Sequence, residues 1–364
     1  MKNQHLGEIE ILATCLNGRD LMSPQGEVLM PERMIELAGR TAYQSTHRIT
    51  DDSYAEFLQR MIKSGHEAVL EFSWASFVFD LRYDFFINTD IWLLEAFSLD
   101  IPLKFVREKY RFIVSGNFRC FRDLLKKIPK PMVYPQQWAI YRYLERYHPL
   151  FLDEAIVTEV AKTHHYDAKS FDFFESHGCY MSLEKLQYWN TFPLTPQEKM
   201  KNSWLAVRMV GSRAFTHQLV RHRLCSFVQE SQRFCDEKDF FENDYFVIPP
   251  RMFETGLDDF YVSQLQESSL MFNKLLEFLK SKGSGKNPKE DARFLLPNAV
   301  KSEICVAGNL EQWFRVFDLR LKPDAQWEIR DLCQQIHDQI IALYPEISEL
   351  YDYFHRQPKY GQPS

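Results

Sequence analysis

The chain has 364 residues, of which 45% are hydrophobic, enough to fill one large core or two modest ones. Its formal net charge of −6 argues against a protein that coats nucleic acid, because such proteins normally present a basic face. Seven scattered cysteines without a C-x-x-C pair indicate reduced thiols in a cytoplasmic protein, and the absence of a long apolar run predicts no signal peptide and no membrane span.

The first 82 residues predict strands alternating with helices. A buried strand over residues 9–15 precedes a helix that begins at Pro31, a residue favoured at the first helical position. A second helix, YAEFLQRMIKSG, ends at Gly65, a typical C-terminal stop. The segment SFVFD then alternates at period two through Asp80, which predicts a half-buried strand.

Residues 83–200 are aromatic and irregular, with no Gly/Ser-rich linker at either end, and they predict a subdomain inserted into one fold. Within them, YRFIVSGNFRCFRDLLKK is typical of a strand, a tight turn and a helix. EICVAGNLEQWFRVFDLR repeats this pattern near the C-terminus, so that Gly116-Asn117 and Gly308-Asn309 hold equivalent turns. An internal duplication and convergent use of one turn would look alike.

The stretch WLAVRMVGSRAFTHQLVRHR changes from strand-like to helical at Gly211, with Ser212 as the expected N-cap. We expect the helix to run into the following basic residues. KSKGSGKNPKE, residues 280–290, predicts a flexible loop, and residues 351–364 predict a polar tail.

Donor side chains concentrate around RHRLCSFVQES, residues 221–231. On a continuous helix, Arg213, His217 and Arg221 would share one stripe, where like charges repel and an anion would be stabilised. Ser231 and Arg233, two apart in a predicted extended stretch, would face the same way and suit a phosphate.

Purely structural roles for the same stretch remain open. R-H-R could be a solvated basic helix end that complements the helix dipole. His217 and His222 are five apart and do not predict a metal site, since a shared helix face needs a spacing of four. Cys225 has apolar neighbours and no evident base, which favours a buried thiol over a nucleophile.

Four segments together resemble the flavin-dependent thymidylate synthase family. RHRLCSFVQES is similar to that family's R-H-R motif, followed seven residues later by serine, and GSRAFTHQLV resembles its approach helix. ELAGRTAYQS with GHEAVLE resembles its N-terminal part, and ARFLLPNAVKSEICVAGNLEQWFRVFDLRLKPDAQWEIRDL its C-terminal block. The resemblance covers about residues 9–81 and 204–340 in the same order.

The resemblance implies an α+β fold, a mixed, largely antiparallel sheet flanked by helices. Residues 1–82 and 201–350 would form the family domain, interrupted by the insertion at 83–200. It also implies methylation of dUMP to dTMP, with methylenetetrahydrofolate as carbon donor, FAD as hydride carrier and NADPH as reductant. A homotetramer with shared active sites is expected, without a metal, nucleic acid or membrane partner.

The same resemblance assigns individual residues. Arg320 matches the catalytic arginine that polarises the uracil ring, a role that suits a permanently cationic group. The positions that match dUMP contacts are Gln218, Arg221, Gln229, Ser231, Arg233, Arg293 and Arg320. The positions that match FAD contacts are His66, Glu71, Arg221, His222, Arg223, Asn309 and Arg315.

Structural roles remain open for several of these residues. His66 and Glu71 could bridge adjacent elements, Arg293 could brace its own loop, and Asn309 is a typical turn residue. Trp313, Phe317 and Trp327 are expected in the core rather than stacked on a base.

The sequence departs from the family pattern at five positions, namely Ala68, Phe72, Val228, Gln229 and Glu311. Glu311 stands where an arginine usually follows the Gly-Asn turn. Arg119 follows the equivalent turn of the insertion, and one hypothesis is that it supplies the missing charge at a flavin or folate site. The alternative is an insertion that packs only on the outside.

Two other functions compete with the enzyme. A non-catalytic relative that binds nucleotide or flavin would tolerate Glu311. An RNA-binding protein would use the basic helix with its aromatic neighbours, which the net charge of −6 disfavours.

Overall fold

The computed structural model describes residues 7–16, 20–80, 101–108, 111–127, 135–162, 194–233, 235, 245–283 and 287–357. Its strands are β1 (Glu8–Cys15), β2 (Ala75–Asp80), β3 (Lys104–Glu108), β4 (Arg111–Gly116), β5 (Trp204–Ser212), β6 (Ser226–Gln229) and β7 (Lys301–Asn309). The helices of the first half are α1 (Pro31–Thr41), α2 (Ser53–Lys63), α3 (Phe118–Lys126), α4 (Pro135–Tyr147) and α5 (Glu154–Lys162). Those of the second half are α6 (Pro196–Asn202), α7 (Arg213–Leu219), α8 (Pro250–Thr255), α9 (Asp258–Ser281), α10 (Lys289–Ala292), α11 (Leu310–Arg320), α12 (Trp327–Leu343) and α13 (Glu346–Arg356).

Four strands form an antiparallel sheet in the order β1-β5-β7-β6. Alternate residues of β5 face two different cores, because side chains along a strand alternate between its faces. Leu205, Val207 and Met209 pack toward α11 and α12, whereas Trp204 and Ala206 pack in the core that α1 shares with residues of the insertion. The described part of the insertion therefore covers one face of the sheet rather than lying outside the fold.

The other three strands form a second antiparallel sheet, in the order β2-β4-β3, and this sheet repeats the arrangement β5-β7-β6. The register is also shared. Ala75 pairs with Gly116 as Leu205 pairs with Gly308. Lys104 pairs with the residue before Gly116, as Ser226 pairs with the residue before Gly308.

The helices that follow these sheets begin alike. Asn117 (φ −80°, ψ 164°) and Asn309 (φ −74°, ψ 166°) are both N-caps whose side chains accept a bond from the amide three residues later, at 2.9 Å. We call β2, β3, β4 and α3 the N-terminal module, and β5, β6, β7 and α11 the C-terminal module. Their likeness extends from the turn to strand order, register and cap, as an internal duplication predicts and convergence on one turn does not.

Most local predictions from the sequence are confirmed. α1 begins at Pro31, and α2 is followed by Gly65 with a left-handed φ of 73°. Trp313 and Phe317 are buried in the core, whereas Trp327 is half-buried. The α+β class holds, although every strand pair in the described part of the chain is antiparallel rather than mixed.

Three predictions about segment ends are wrong. α7 ends at Leu219, so Arg221 lies beyond the helix and the predicted donor stripe is interrupted. Residues 231–233 form a turn rather than an extended stretch, and the Arg233 amide donates to Ser231 Oγ at 3.3 Å. α13 continues through Arg356 because Tyr351 and Phe354 pack on Phe314, so the polar tail begins no earlier than residue 357.

The predicted loop over residues 280–290 is shortened at both ends. α9 extends through Ser281 and α10 begins at Lys289, and residues 284–286 lie outside the described part.

Candidate functional site

The start of α7 is fixed by a buried carboxylate on α12. Ser212 caps the helix by accepting from the Phe215 amide at 3.0 Å. The Ser212 amide and hydroxyl both donate to Glu328, each at 2.6 Å. Burial raises the pKa of Glu328, while the two bonds from Ser212 oppose that shift. This arrangement sets the position from which α7 runs toward the R-H-R motif.

The motif residues Arg221–Arg223 occupy the turn between α7 and β6. The Cys225 amide donates to the His222 carbonyl at 2.9 Å and closes this turn. Gln312 on α11 donates from Nε2 to the Leu224 carbonyl at 2.5 Å and ties the turn to the C-terminal block. Burial raises the pKa of the Cys225 thiol to about 12, which agrees with the prediction of an inert cysteine.

Arg320, the last residue of α11, is held by the motif. Its Nε donates to His222 Nε2 at 2.9 Å, and its Nη2 donates to the Gln218 carbonyl at 3.0 Å. Burial and the adjacent guanidinium lower the pKa of His222 to about 4. His222 is therefore neutral near pH 7, with Nε2 as acceptor and its proton on Nδ1.

A cavity of about 510 Å³ lies beside this group. Three of the predicted flavin contacts line it, namely His222, Arg223 and Arg315. Its other lining residues come from α6, the motif turn, α11 and the end of α13, and they are Gln197, Met200, Leu224, Cys225, Glu311, Gln312, Asp318, Leu319, Phe354, His355 and Gln357. The wall thus combines apolar surface with two arginines and two carboxylates.

The negative charge of Glu311 is compensated by cationic side chains of the same chain. Arg315 Nη2 lies 2.8 Å from Glu311 Oε1, one helical turn later. Lys104, at the start of β3, is also stabilised as a cation by Glu311, although burial is the larger effect and lowers its pKa. Arg315 therefore pairs with the reversed charge, whereas Arg119 forms its ion pair with Glu71.

A second group of predicted residues lies beyond the other end of β6. The Ser231 amide donates to the Ala42 carbonyl at 3.0 Å, and Arg233 forms an ion pair with Glu290 on α10. Arg293 follows α10 directly in a 3-10 helix. The four residues of β6 separate this group from the motif turn by about 13 Å of extended chain.

Gln229, the last residue of β6, lies between the two groups. Its Nε2 donates to Thr216 Oγ1 at 2.8 Å and to Ser302 Oγ at 3.2 Å. Arg213 donates to the same Ser302 hydroxyl at 3.4 Å. These contacts join α7, β6 and β7.

The remaining flavin assignments fall on residues with structural contacts. Asn309 is buried, and its amide both caps α11 and donates to the Lys201 carbonyl at 3.4 Å. His66 lies 3.5 Å from the Tyr43 hydroxyl. Glu71 accepts from Ser226 Oγ at 2.5 Å and from Arg119, and Phe72 is fully buried in the core.

Sequence reasoning missed several cavity residues, among them Met200, Asp318, Phe354 and His355. Met200 and Phe354 lie outside the segments that carry the family resemblance, and no motif marks them. Within the described ranges, no cluster of metal-ligating side chains is found, and no helix is long and apolar enough to cross a membrane.

In a comparison with known protein families, residues 200–346 match the family described as thymidylate synthase complementing protein. A flavin-dependent thymidylate synthase of Sulfolobus acidocaldarius is 37% identical over 136 residues, which are 37% of this chain and 48% of the relative. That of Nitratidesulfovibrio vulgaris is 37% identical over 140 residues, 36% of this chain and 56% of the relative. That of Clostridium tetani is 30% identical over 146 residues, 37% of this chain and 57% of the relative.

The chain thus spans about half the length of the curated relatives it matches. The matched part contains the motif turn, β5, β6, β7, α11 and the whole of α12. It holds every predicted site residue except His66 and Glu71. Residues 200–346 are thus the part of the chain that is similar to flavin-dependent thymidylate synthases.

Proposed function

We propose that the protein methylates dUMP at C5 to give dTMP, using methylenetetrahydrofolate as carbon donor, FAD as hydride carrier and NADPH as reductant. The observation that carries this proposal is the contact of Arg320 with His222 and Gln218. The three residues come from separate motifs, and the family resemblance assigns all of them to one reaction. Their convergence supports a common site.

The cavity beside Arg320 suits a flavin. Met200, Leu319 and Phe354 offer apolar surface for a fused ring, while Arg223 and Arg315 offer donors for anionic groups. The ion pair of Glu311 with Arg315 leaves less net negative charge near those groups. A flavin bound there would supply the hydride chemistry, which side chains cannot provide.

Arg320 would act on the pyrimidine ring. A guanidinium remains cationic at all relevant pH values, so it can stabilise negative charge that develops on the ring. His222 holds the guanidinium through Nε2 without adding a competing charge, because it is neutral. The Arg320 side chain is therefore held in place only when His222 is in the tautomer that leaves Nε2 unprotonated.

The second group would bind the nucleotide phosphate. Ser231, Arg233 and Arg293 combine a hydroxyl with two guanidinium groups, a set suited to a phosphate dianion. Gln218, Arg221 and Gln229 would complete the nucleotide contacts between phosphate and ring. When the phosphate binds, Arg233 would either leave Glu290 for the phosphate or contact both of them.

The proposal also includes a cytoplasmic homotetramer with shared active sites. Exposed apolar side chains on α9 and just beyond α10 support an association surface, since Phe260, Met271, Phe278 and Phe294 are 66%, 51%, 59% and 84% exposed.

The first test is the visible spectrum of the protein supplied with FAD and titrated anaerobically with NADPH. We expect the flavin absorbance to bleach faster when dUMP is present, because both ligands would share one site. Replacing Arg320→Gln should lower dTMP formation about 100-fold or more, as the loss of a charge-stabilising donor does elsewhere. Arg330→Gln is the matched control, because this arginine donates to the Pro323 carbonyl and does not line the cavity.

The alternative is a relative that binds nucleotide without turnover, and Glu311 in the cavity wall is the observation that favours it. In that case the protein would bind dUMP but would retain no FAD, and NADPH would produce no dUMP-dependent bleaching. Bleaching without dTMP formation would support the flavin site but would refute the proposed methyl transfer to dUMP.

A further inference from the structure

Helix α3 faces the short 3-10 helix Glu67–Glu71 with a row of three cations. Arg122 Nη2 lies 3.0 Å from Glu67 Oε1, and Lys126 Nζ lies 2.9 Å from the same oxygen. Arg119 forms an ion pair with Glu71. Because Arg119, Arg122 and Lys126 are spaced at i, i+3 and i+7, they lie on one face of α3.

Arg122 anchors this contact in the interior of the fold. Arg122 is fully buried, and its Nη2 also meets Asp153 at 2.7 Å, while its Nη1 donates to the Phe151 carbonyl. Burial tends to raise the pKa of Glu67, but the bonds from Lys126 and Arg122 outweigh it and lower that pKa. Removing one partner of such a group is costly, because a buried charge remains.

Glu71 connects α3 to the R-H-R motif segment. One carboxylate oxygen meets Arg119, and the other accepts from Ser226 Oγ at 2.5 Å. Ser226 is the first residue of β6 and comes three residues after Arg223. β6 is a four-residue strand at the edge of its sheet, paired only with β7 among the described strands, so few backbone bonds fix its position.

We propose that Arg119 is a positioning residue, which acts through Glu71 and Ser226 to hold the turn in which His222 binds Arg320. The chain of contacts leads from the inserted segment to the motif by named side chains. Its consequence for catalysis rests on the proposed function, whereas its consequence for the order of the turn does not.

An electrostatic interaction in the reverse direction between the two modules is consistent with this coupling. Glu311 occupies the position in α11 that Arg119 occupies in α3, each two residues after its capping asparagine. Lys104 starts β3 as Ser226 starts β6, and Glu311 acts on Lys104 as a stabilising charge. The second residue of each helix thus acts on the start of the second strand in the other module, Arg119 through Glu71 and Glu311 through its charge.

The experiment compares hydrogen exchange of residues 222–229 in the full chain and in Arg119→Gln. We expect exchange there to become about tenfold faster, the effect of losing one charge-assisted contact at a partly exposed site. Exchange in β5 and β7 should stay within about twofold, because their backbone ladders do not depend on Arg119. Arg119→Lys should restore part of the protection, and Arg142→Gln, which alters an ion pair within α4, should leave it unchanged.

Ser226→Ala provides a second route if Arg119→Gln folds poorly. It removes the last contact of the chain and should reproduce the local increase, and the double variant should be no worse than either single one, because both break the same link. In turnover assays we expect kcat to fall while the KM for dUMP changes less than twofold, since the phosphate group lies beyond the other end of β6.

Unchanged exchange over residues 222–229 in both single variants would overturn the proposal. So would an equal increase throughout β5 and β7, which would indicate general destabilisation. Faster local exchange in a protein that shows no flavin turnover would uphold the positioning role and refute the proposed function instead.

Discussion

Replacing Glu328→Ala should destabilise the protein strongly, although Glu328 lies on α12 and carries no assigned role in the reaction. Its carboxylate accepts two bonds of 2.6 Å from the amide and hydroxyl of Ser212. Both residues are buried, Glu328 at 2% and Ser212 at 3% exposure. The substitution would therefore leave two donors without acceptors at the start of α7.

The expected cost is about 3 to 5 kcal/mol of unfolding free energy, since bonds to charged groups contribute about 1.5 to 3 kcal/mol each. Glu328→Gln should cost less, about 1 to 2 kcal/mol, because its carbonyl can still accept from one Ser212 donor. Burial raises the pKa of Glu328, so the folded state binds this proton more readily than the unfolded state. Stability should thus fall as pH rises through the folded pKa in the wild type but not in Glu328→Gln.

Urea unfolding followed by far-UV circular dichroism, repeated between pH 4 and pH 8, measures both effects. Glu349→Ala, at an exposed position of α13, is the matched control, and it should stay within about 0.5 kcal/mol of the wild type. A cost below about 1 kcal/mol for Glu328→Ala would refute the reasoning, since it would mean that water satisfies the Ser212 donors.

Two further outcomes follow from the site. The pKa of His222 falls from 6.5 to about 4 on folding, so its contribution to stability is present above pH 6.5 and is lost as pH falls toward 4. His222→Gln should make the urea midpoint less dependent on pH over that range. If the midpoints of His222→Gln and the wild type change with pH in parallel, the assignment is contradicted. Glu290→Gln should release Arg233 and tighten dUMP binding about two- to fivefold at low salt, measured by calorimetry, because an exposed ion pair contributes at most about 1 kcal/mol; weaker binding would show that Glu290 orients the arginine instead.

The elements that the sequence predicts well are those specified by local rules. Pro31 fixes the start of α1, Gly65 supplies the left-handed turn after α2, and Ser212 caps α7 within three residues of its own position. In each case the deciding contact lies within one helical turn, so a single sequence contains the necessary information.

The end of α7 could not be predicted in the same way. R-H-R continues a helical pattern, but the turn at residues 220–225 is stabilised by Gln312, which lies 88 residues from the carbonyl it binds. Likewise, the contact between Arg320 and His222 joins residues 98 positions apart. Both contacts depend on the pairing of β5, β6 and β7, which periodicity alone does not specify.

The family resemblance assigns roles to residues but does not indicate their contacts within the chain. It assigned Glu71 to the flavin, whereas the carboxylate holds Arg119 and Ser226. It also flagged Glu311 as a reversed charge without indicating that Arg315 and Lys104 would compensate for it.

The reciprocal arrangement of the two modules constrains how the sequence can change. In α3 the second and sixth residues are Arg119 and Asp123, and in α11 the equivalent residues are Glu311 and Arg315, so the signs are exchanged. Reversing one member would place like charges one turn apart within a helix, and reversing Arg119 or Glu311 would also set it against a like charge at Glu71 or Lys104. Homologues that share the inserted segment should therefore exchange these charges as a set, and a lone arginine at position 311 should occur together with the loss of the cation at position 104.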